Sequence, residues 1–252
     1  MSTKAIPVGP EEAAKNEVFL EERRAKGERY IKRHSLQTRV THGITIVCCI
    51  LLCISGLFVF VPPLAQAVGA DTVFFIRMSH RVIGVAFVVV PLLSALLAPR
   101  GVKHMFANYF KKWDSDDKKW MLLFLPYLFM PKRVHMPDQQ EVKSGQRFAD
   151  GVLLLFGAEM GITGLLLLLG STVFTFGGGA YGVLMFLHDL GFLFIAVFGL
   201  AHIFLGGGIF QPYRGTWKLM FGNGMVSESD ALYHWGHWAR KEIEDGTNVV
   251  EK

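Results

Sequence analysis

Only three of the 252 residues are cysteine, and Cys48, Cys49 and Cys53 lie together in one apolar run. That placement excludes a disulfide framework and a thiolate metal centre, and leaves them as small residues facing lipid or the protein interior. The first 38 residues contain no apolar region behind a short basic start, so no cleaved signal peptide is expected. Nor is there a motif of nucleic-acid recognition; the formal net charge of +5 is attributed to a face that meets anionic lipid headgroups or a docking partner. Charged residues make up only 19% of the chain against 51% hydrophobic, too apolar a balance for a soluble domain. What remains is one small membrane protein.

Four apolar runs have the roughly 20 residues that a helix needs to cross a bilayer. They cover about 40–62, 73–98, 148–170 and 181–206, and predict an all-α membrane protein with a four-transmembrane-helix bundle over 39–210. Around them lie three basic segments: a tail over 1–38, a loop over 99–147 and a second tail over 211–252. The two short links, Pro63 to Thr72 and Ser171 to Ala180, hold no lysine or arginine. By the excess of positive charge on cytoplasmic segments, both termini and the long loop are expected in the cytoplasm. Within that loop MLLFLPYLFM, Met121 to Met130, is half a spanning length and broken by Pro126, which predicts an interfacial or re-entrant segment.

The fourth run carries His188 and His202, fourteen positions apart. At about 100° and 1.5 Å per residue they share one helix face and stand roughly 21 Å apart along the axis. Topology gives each a depth, His188 near the outer surface and His202 near the cytoplasm. His42, early in the first span, matches the depth of His202, and His80, early in the second, matches His188. Two imidazoles facing each other at one depth are what bis-histidine haem ligation requires, so the pattern predicts two haems stacked across the membrane. Arg39 and Arg77 each stand three residues before a ligand, one turn toward the surface, where an arginine can meet a haem propionate. Arg77 and Arg81 lie on the side that the charge rule leaves bare, which favours that role further. Gly84 and Gly191 fall on the ligand faces, where a flat macrocycle needs a missing side chain and where close helix packing needs one too. Glu159, mid-span in the third helix, is a second functional candidate, or else a protonated carboxyl bonded to a neighbouring helix. His34, His104, His135, His234 and His237 are read as surface or interfacial residues.

With RVTH ending at His42, RMSH ending at His80 and followed by Gly84, SGQR over Ser144 to Arg147, the Thr163–Gly164 pair, the His188 to His202 spacing and HWGHWARKEIE near the end, the chain resembles the cytochrome b (gamma) subunit of membrane-bound respiratory formate dehydrogenases. The resemblance runs from about Arg39 to Glu244. It implies a multi-pass protein of the bacterial inner membrane with two b haems, an inner one on His42 and His202 and an outer one on His80 and His188. It further implies an iron–sulfur (beta) subunit that delivers electrons at the outer face, a catalytic (alpha) subunit that carries the substrate chemistry, and a quinone, menaquinone or ubiquinone. The quinone is reduced near His202 and the turn with Lys143, Gly145 and Gln146. This family usually has asparagine where Lys143 stands, and neither Glu159 nor the long N-terminal tail is expected from it. Related diheme subunits serve hydrogenases and other molybdenum oxidoreductases, and a haem-free anchor or transporter using the histidines as a proton relay is the alternative from another class.

Overall fold

The computed structural model describes residues 29–130, 133–208 and 213–250. The expected tail over 1–38 therefore lies outside the described residues except for 29–38. In chain order the elements are β1 (Tyr30–Lys32), α1 (Leu36–Phe60), α2 (Pro62–Val68), α3 (Ala70–Leu97), α4 (Pro99–Tyr109), α5 (Ser115–Phe129), α6 (Ser144–Thr172), α7 (Gly178–Gly206), α8 (Lys218–Phe221), β2 (Met225–Ser227), α9 (Glu228–His234), α10 (Gly236–Asp245) and β3 (Val249–Val250). They form two compact units. The membrane unit comprises Gln37–Val102 and Ala149–Thr216; a polar unit comprises the residues up to Leu36, Lys103–Phe148 and those from Trp217 onward.

Four helices, α1, α3, α6 and α7, are long and apolar enough to cross a membrane. Each begins three or four residues before its apolar run, because backbone hydrogen bonding carries the helix through polar first turns such as Ser144–Gly145–Gln146–Arg147. Almost nothing on them is buried by protein, as expected of helices whose outer solvent is lipid. Their neighbours fix an alternating course. Thr41 Oγ1, early in α1, donates to Ser94 Oγ, late in α3, at 2.8 Å, and Gln37 Nε2 donates to Ser94 O at 2.9 Å. Phe156 of α6 stacks on Phe194 of α7 with centroids 4.0 Å apart.

The segment expected as a loop over 99–147 is mostly helical. Asp114 caps α5 by accepting from Asp117 N at 2.8 Å, and Asp117 Oδ2 accepts from Asp114 N at 3.1 Å, a reciprocal capping box. At 15 residues α5 is too short to cross, and its Leu122, Leu125 and Phe129 share one exposed face.

Short strands complete the polar unit. β1 pairs antiparallel with β2 and β3, with Ile31 opposite Val226 and Val249. Ile31, fully buried, sits in a core with Leu219, Val226, Leu232, Trp235 and Trp238. The Arg33 guanidinium lies 4.0 Å from the Trp235 ring centroid and 4.8 Å from that of Trp238, and also donates to the Glu141 backbone oxygen. Burial draws its pKa down to about 10, against the opposing charge of Glu141.

Candidate haem-ligand pairs

The four span histidines form two pairs within the membrane unit. His42 of α1 faces His202 of α7 with ring centroids 6.2 Å apart and planes at 52°. His80 of α3 faces His188 of α7 at 6.4 Å and 75°. A metal atom midway, with each ring nitrogen about 2.0 Å away and each ring centre about 1.1 Å beyond its nitrogen, separates two such centres by about 6.2 Å. Both pairs therefore have the span that an iron ligated from two sides requires. Among the described residues no group of three or more histidine, cysteine, aspartate or glutamate side chains gathers.

Neighbouring side chains set the protonation of the rings. Ser55 Oγ donates to Leu51 O at 2.7 Å, so its oxygen is left to accept from His80 Nδ1 at 2.8 Å. Thr163 Oγ1 donates to Glu159 O at 2.9 Å and accepts from His188 Nδ1, also at 2.9 Å. Asp150 Oδ1 lies 2.6 Å from His202 Nδ1 and, as a carboxylate, can only accept. In all three a proton on Nδ1 satisfies the acceptor beside it, and that tautomer leaves the Nε2 lone pair for a metal. Gly164 makes room for this: a Cβ there would stand 3.2 Å from His188 Cε1. The Thr–Gly pair thus has one residue to orient the ring and one to admit it.

Other expected site residues fall out differently. The Nε of Arg39 is buried and makes no hydrogen bond among the described residues, while Arg77 and Arg81 are exposed, Arg81 resting against Met78. Glu159 is half-buried, with both carboxylate oxygens enclosed and without a hydrogen-bond partner among the described residues. Its carboxylate fills the space beside Gly191, together with Met160, so that glycine makes room for α6. A Cβ at Gly84 would meet only Leu52, at 3.9 Å.

Lys143, Gly145 and Gln146 lie in the polar unit and His202 in the membrane unit. Lys143 is buried, with Nζ 3.4 Å from His234 Nδ1 and 4.7 Å from the Trp235 centroid. Burial, then the charge of Arg33, holds its pKa well below the usual ammonium range. Gly145 is required because the Trp120 indole occupies the place of its side chain. Gln146 keeps a buried Oε1 that no donor among the described residues reaches. The flanking Ser144 and Arg147 grip Asp117, with Ser144 Oγ 2.7 Å from Oδ1 and Arg147 Nη1 2.8 Å from Oδ2. Burial works against that carboxylate, but these bonds, the Asp114 amide and the Arg147 charge hold its pKa below the usual range. The SGQR segment therefore has a structural task in anchoring the start of α6. His234 belongs to this interior as well, whereas His104 is exposed and bonds Glu141 Oε2 at 2.8 Å, and His237 bonds Asp116 Oδ2 at 2.9 Å.

Asp150 and Ser55 are the functional residues that the sequence reading passed over. Asp150 offered a signal, an acid just inside an apolar run and four residues beyond Gln146; Ser55, a lone hydroxyl in an apolar helix, offered little.

A comparison with curated proteins returns no match. A family model described as prokaryotic cytochrome b561 matches residues 33–223, about three quarters of the chain, and covers all four spans and both histidine pairs. Its four apolar helices and this match make the chain a multi-pass inner-membrane protein that transfers electrons on haem b, a member of the prokaryotic cytochrome b561 family.

Proposed function

We propose that this chain is the membrane-anchoring diheme cytochrome b subunit of a respiratory formate dehydrogenase, taking electrons from an iron–sulfur subunit and delivering them to a quinone. The observation that carries the reading is the pair of histidine couples at 6.2 and 6.4 Å, two sites of equal span rather than one. Family membership in a haem-b cytochrome removes the haem-free anchor and the proton-relay transporter.

His42 and His202 hold one haem and His80 and His188 the other; bound there, haem b supplies a reversible one-electron couple. The protein's own part is placement. Ser55, Thr163 and Asp150 hold three of the rings in the Nδ1–H tautomer, and Arg39, with its buried unbonded Nε, is the propionate partner at the His42 level. Arg77 and Arg81 are the propionate candidates at the other. The distribution of lysine and arginine supports cytoplasmic termini, which puts the His42–His202 level on the cytoplasmic side. Quinone reduction belongs at that side, beside His202. Lys143 and Gly145 serve the packing that fixes the start of α6.

The partner is tested on the complex purified intact from membranes. Formate should produce the reduced b-haem spectrum, and added quinone should reoxidise it. Reduction by hydrogen and not by formate would transfer the chain to a hydrogenase, and no response to either would overturn the assignment to both.

A further inference from the structure

The two histidine levels are equal in span and unequal in what stands behind the rings. At one level both Nδ1 acceptors are hydroxyls, Ser55 on His80 and Thr163 on His188. At the other, the Nδ1–H of His202 donates to the carboxylate of Asp150 at 2.6 Å, the shortest of the three bonds. Asp150 is only 15% exposed at its side chain and His202 30%, so the pair is little weakened by solvent. We infer that Asp150 is a positioning residue that lowers the reduction potential of the haem held by His42 and His202, so that the protein carries one low-potential site and one higher one.

The reason is electronic. A neutral hydroxyl accepting the Nδ1 proton leaves an ordinary imidazole on the metal. An anionic acceptor at a short distance pulls that proton toward itself, makes the ring more basic, and strengthens its donation through Nε2. Stronger donation favours the ferric over the ferrous ion, and axial-ligand electronics and hydrogen bonding are among the levers by which a protein sets a haem potential. The two levels share α7 and use the same ligand type on both sides, so the nature of the Nδ1 acceptor is the chemical difference most directly coupled to the iron.

This inference rests on the ligation reading proposed above, and the test separates the two. The whole chain is purified with its haems, and a potentiometric titration is run on wild type, Asp150→Asn, Asp150→Ser and Asp150→Glu, with low-temperature EPR of the ferric haems as a second readout. In the Asn and Ser variants one of the two b components should become at least tenfold easier to reduce, about 59 mV for a one-electron couple. The other component should stay where it was, one low-spin ferric signal should change its g values, and Glu should return both readouts toward wild type. A variant that keeps both haems and titrates as wild type overturns the inference. Loss of one haem from both Asn and Ser also overturns it, because the carboxylate then assembles the site and does not tune it. Wild-type protein without haem is a different result, one that sinks the ligation reading itself.

Discussion

The membrane unit and the polar unit are stabilised by opposite means. In the membrane unit, long apolar helices leave almost all their surface to lipid, and three of the few polar contacts between them end on His80, His188 and His202. In the polar unit, short elements from distant parts of the chain enclose charged groups: Arg33 between two indoles, Lys143 over one of them, Asp117 bonded from three sides. In the first unit three polar residues orient histidine rings. In the second, polar residues serve the fold.

That division can be read with two separate probes. All five tryptophans, Trp113, Trp120, Trp217, Trp235 and Trp238, lie in the polar unit, so the wavelength of tryptophan emission reports that unit, while the haem Soret band reports the other. The largest effect belongs to His202→Ala. It should lose one of two haems and leave the other spectrally intact, with the emission wavelength unchanged. Retention of both haems would refute the pairing of His42 with His202.

Next comes Asp117→Asn. Its partner Arg147 is almost wholly enclosed, and removing one member of such a pair costs about 3–5 kcal/mol. Emission-monitored unfolding should move to lower denaturant by that amount while haem content measured before unfolding stays at the wild-type value; loss of haem at full polar-unit stability would reverse the division. The same carboxylate sets an acid limit. Its pKa is depressed in the folded protein, so its contribution is complete above the unfolded value, about 3.9, and is lost as pH falls through the lower folded value. An acid titration of emission should show wild type losing stability below about pH 4, and Asp117→Asn should flatten that part of the curve.

Smaller effects distinguish two glycines of the same helix. Ala at Gly145 drives a methyl group into the Trp120 ring and should cost about 1–3 kcal/mol with a shift in tryptophan emission. At Gly151 a methyl group would find nothing within 4 Å, and Ala should be neutral or stabilise α6 by up to about 1 kcal/mol. Equal costs at the two positions would mean that Trp120 yields.

The membrane unit was legible in the sequence because what organises it is nearly one-dimensional. Apolar length locates a span, loop charge gives its direction, and the two together give His42, His80, His188 and His202 their depths. The hydroxyls and the carboxylate behind the rings were not legible. Ser55, Thr163 and Asp150 reach their histidines across helix pairs whose rotation about their own axes the spacing does not fix. The polar unit was almost invisible for a related reason. Its strands are two or three residues long, and Tyr30 pairs with Ser227 and Val250, about two hundred positions away, so no local periodicity announces them. The described parts of what read as a basic loop and two tails form a folded unit whose charges are partly spent inside it.

The central claim is that each histidine pair holds its own haem. Pyridine haemochrome analysis of the purified chain, with protein measured by quantitative amino-acid analysis, tests it most directly. Two b haems per chain are predicted; one or none would contradict the account.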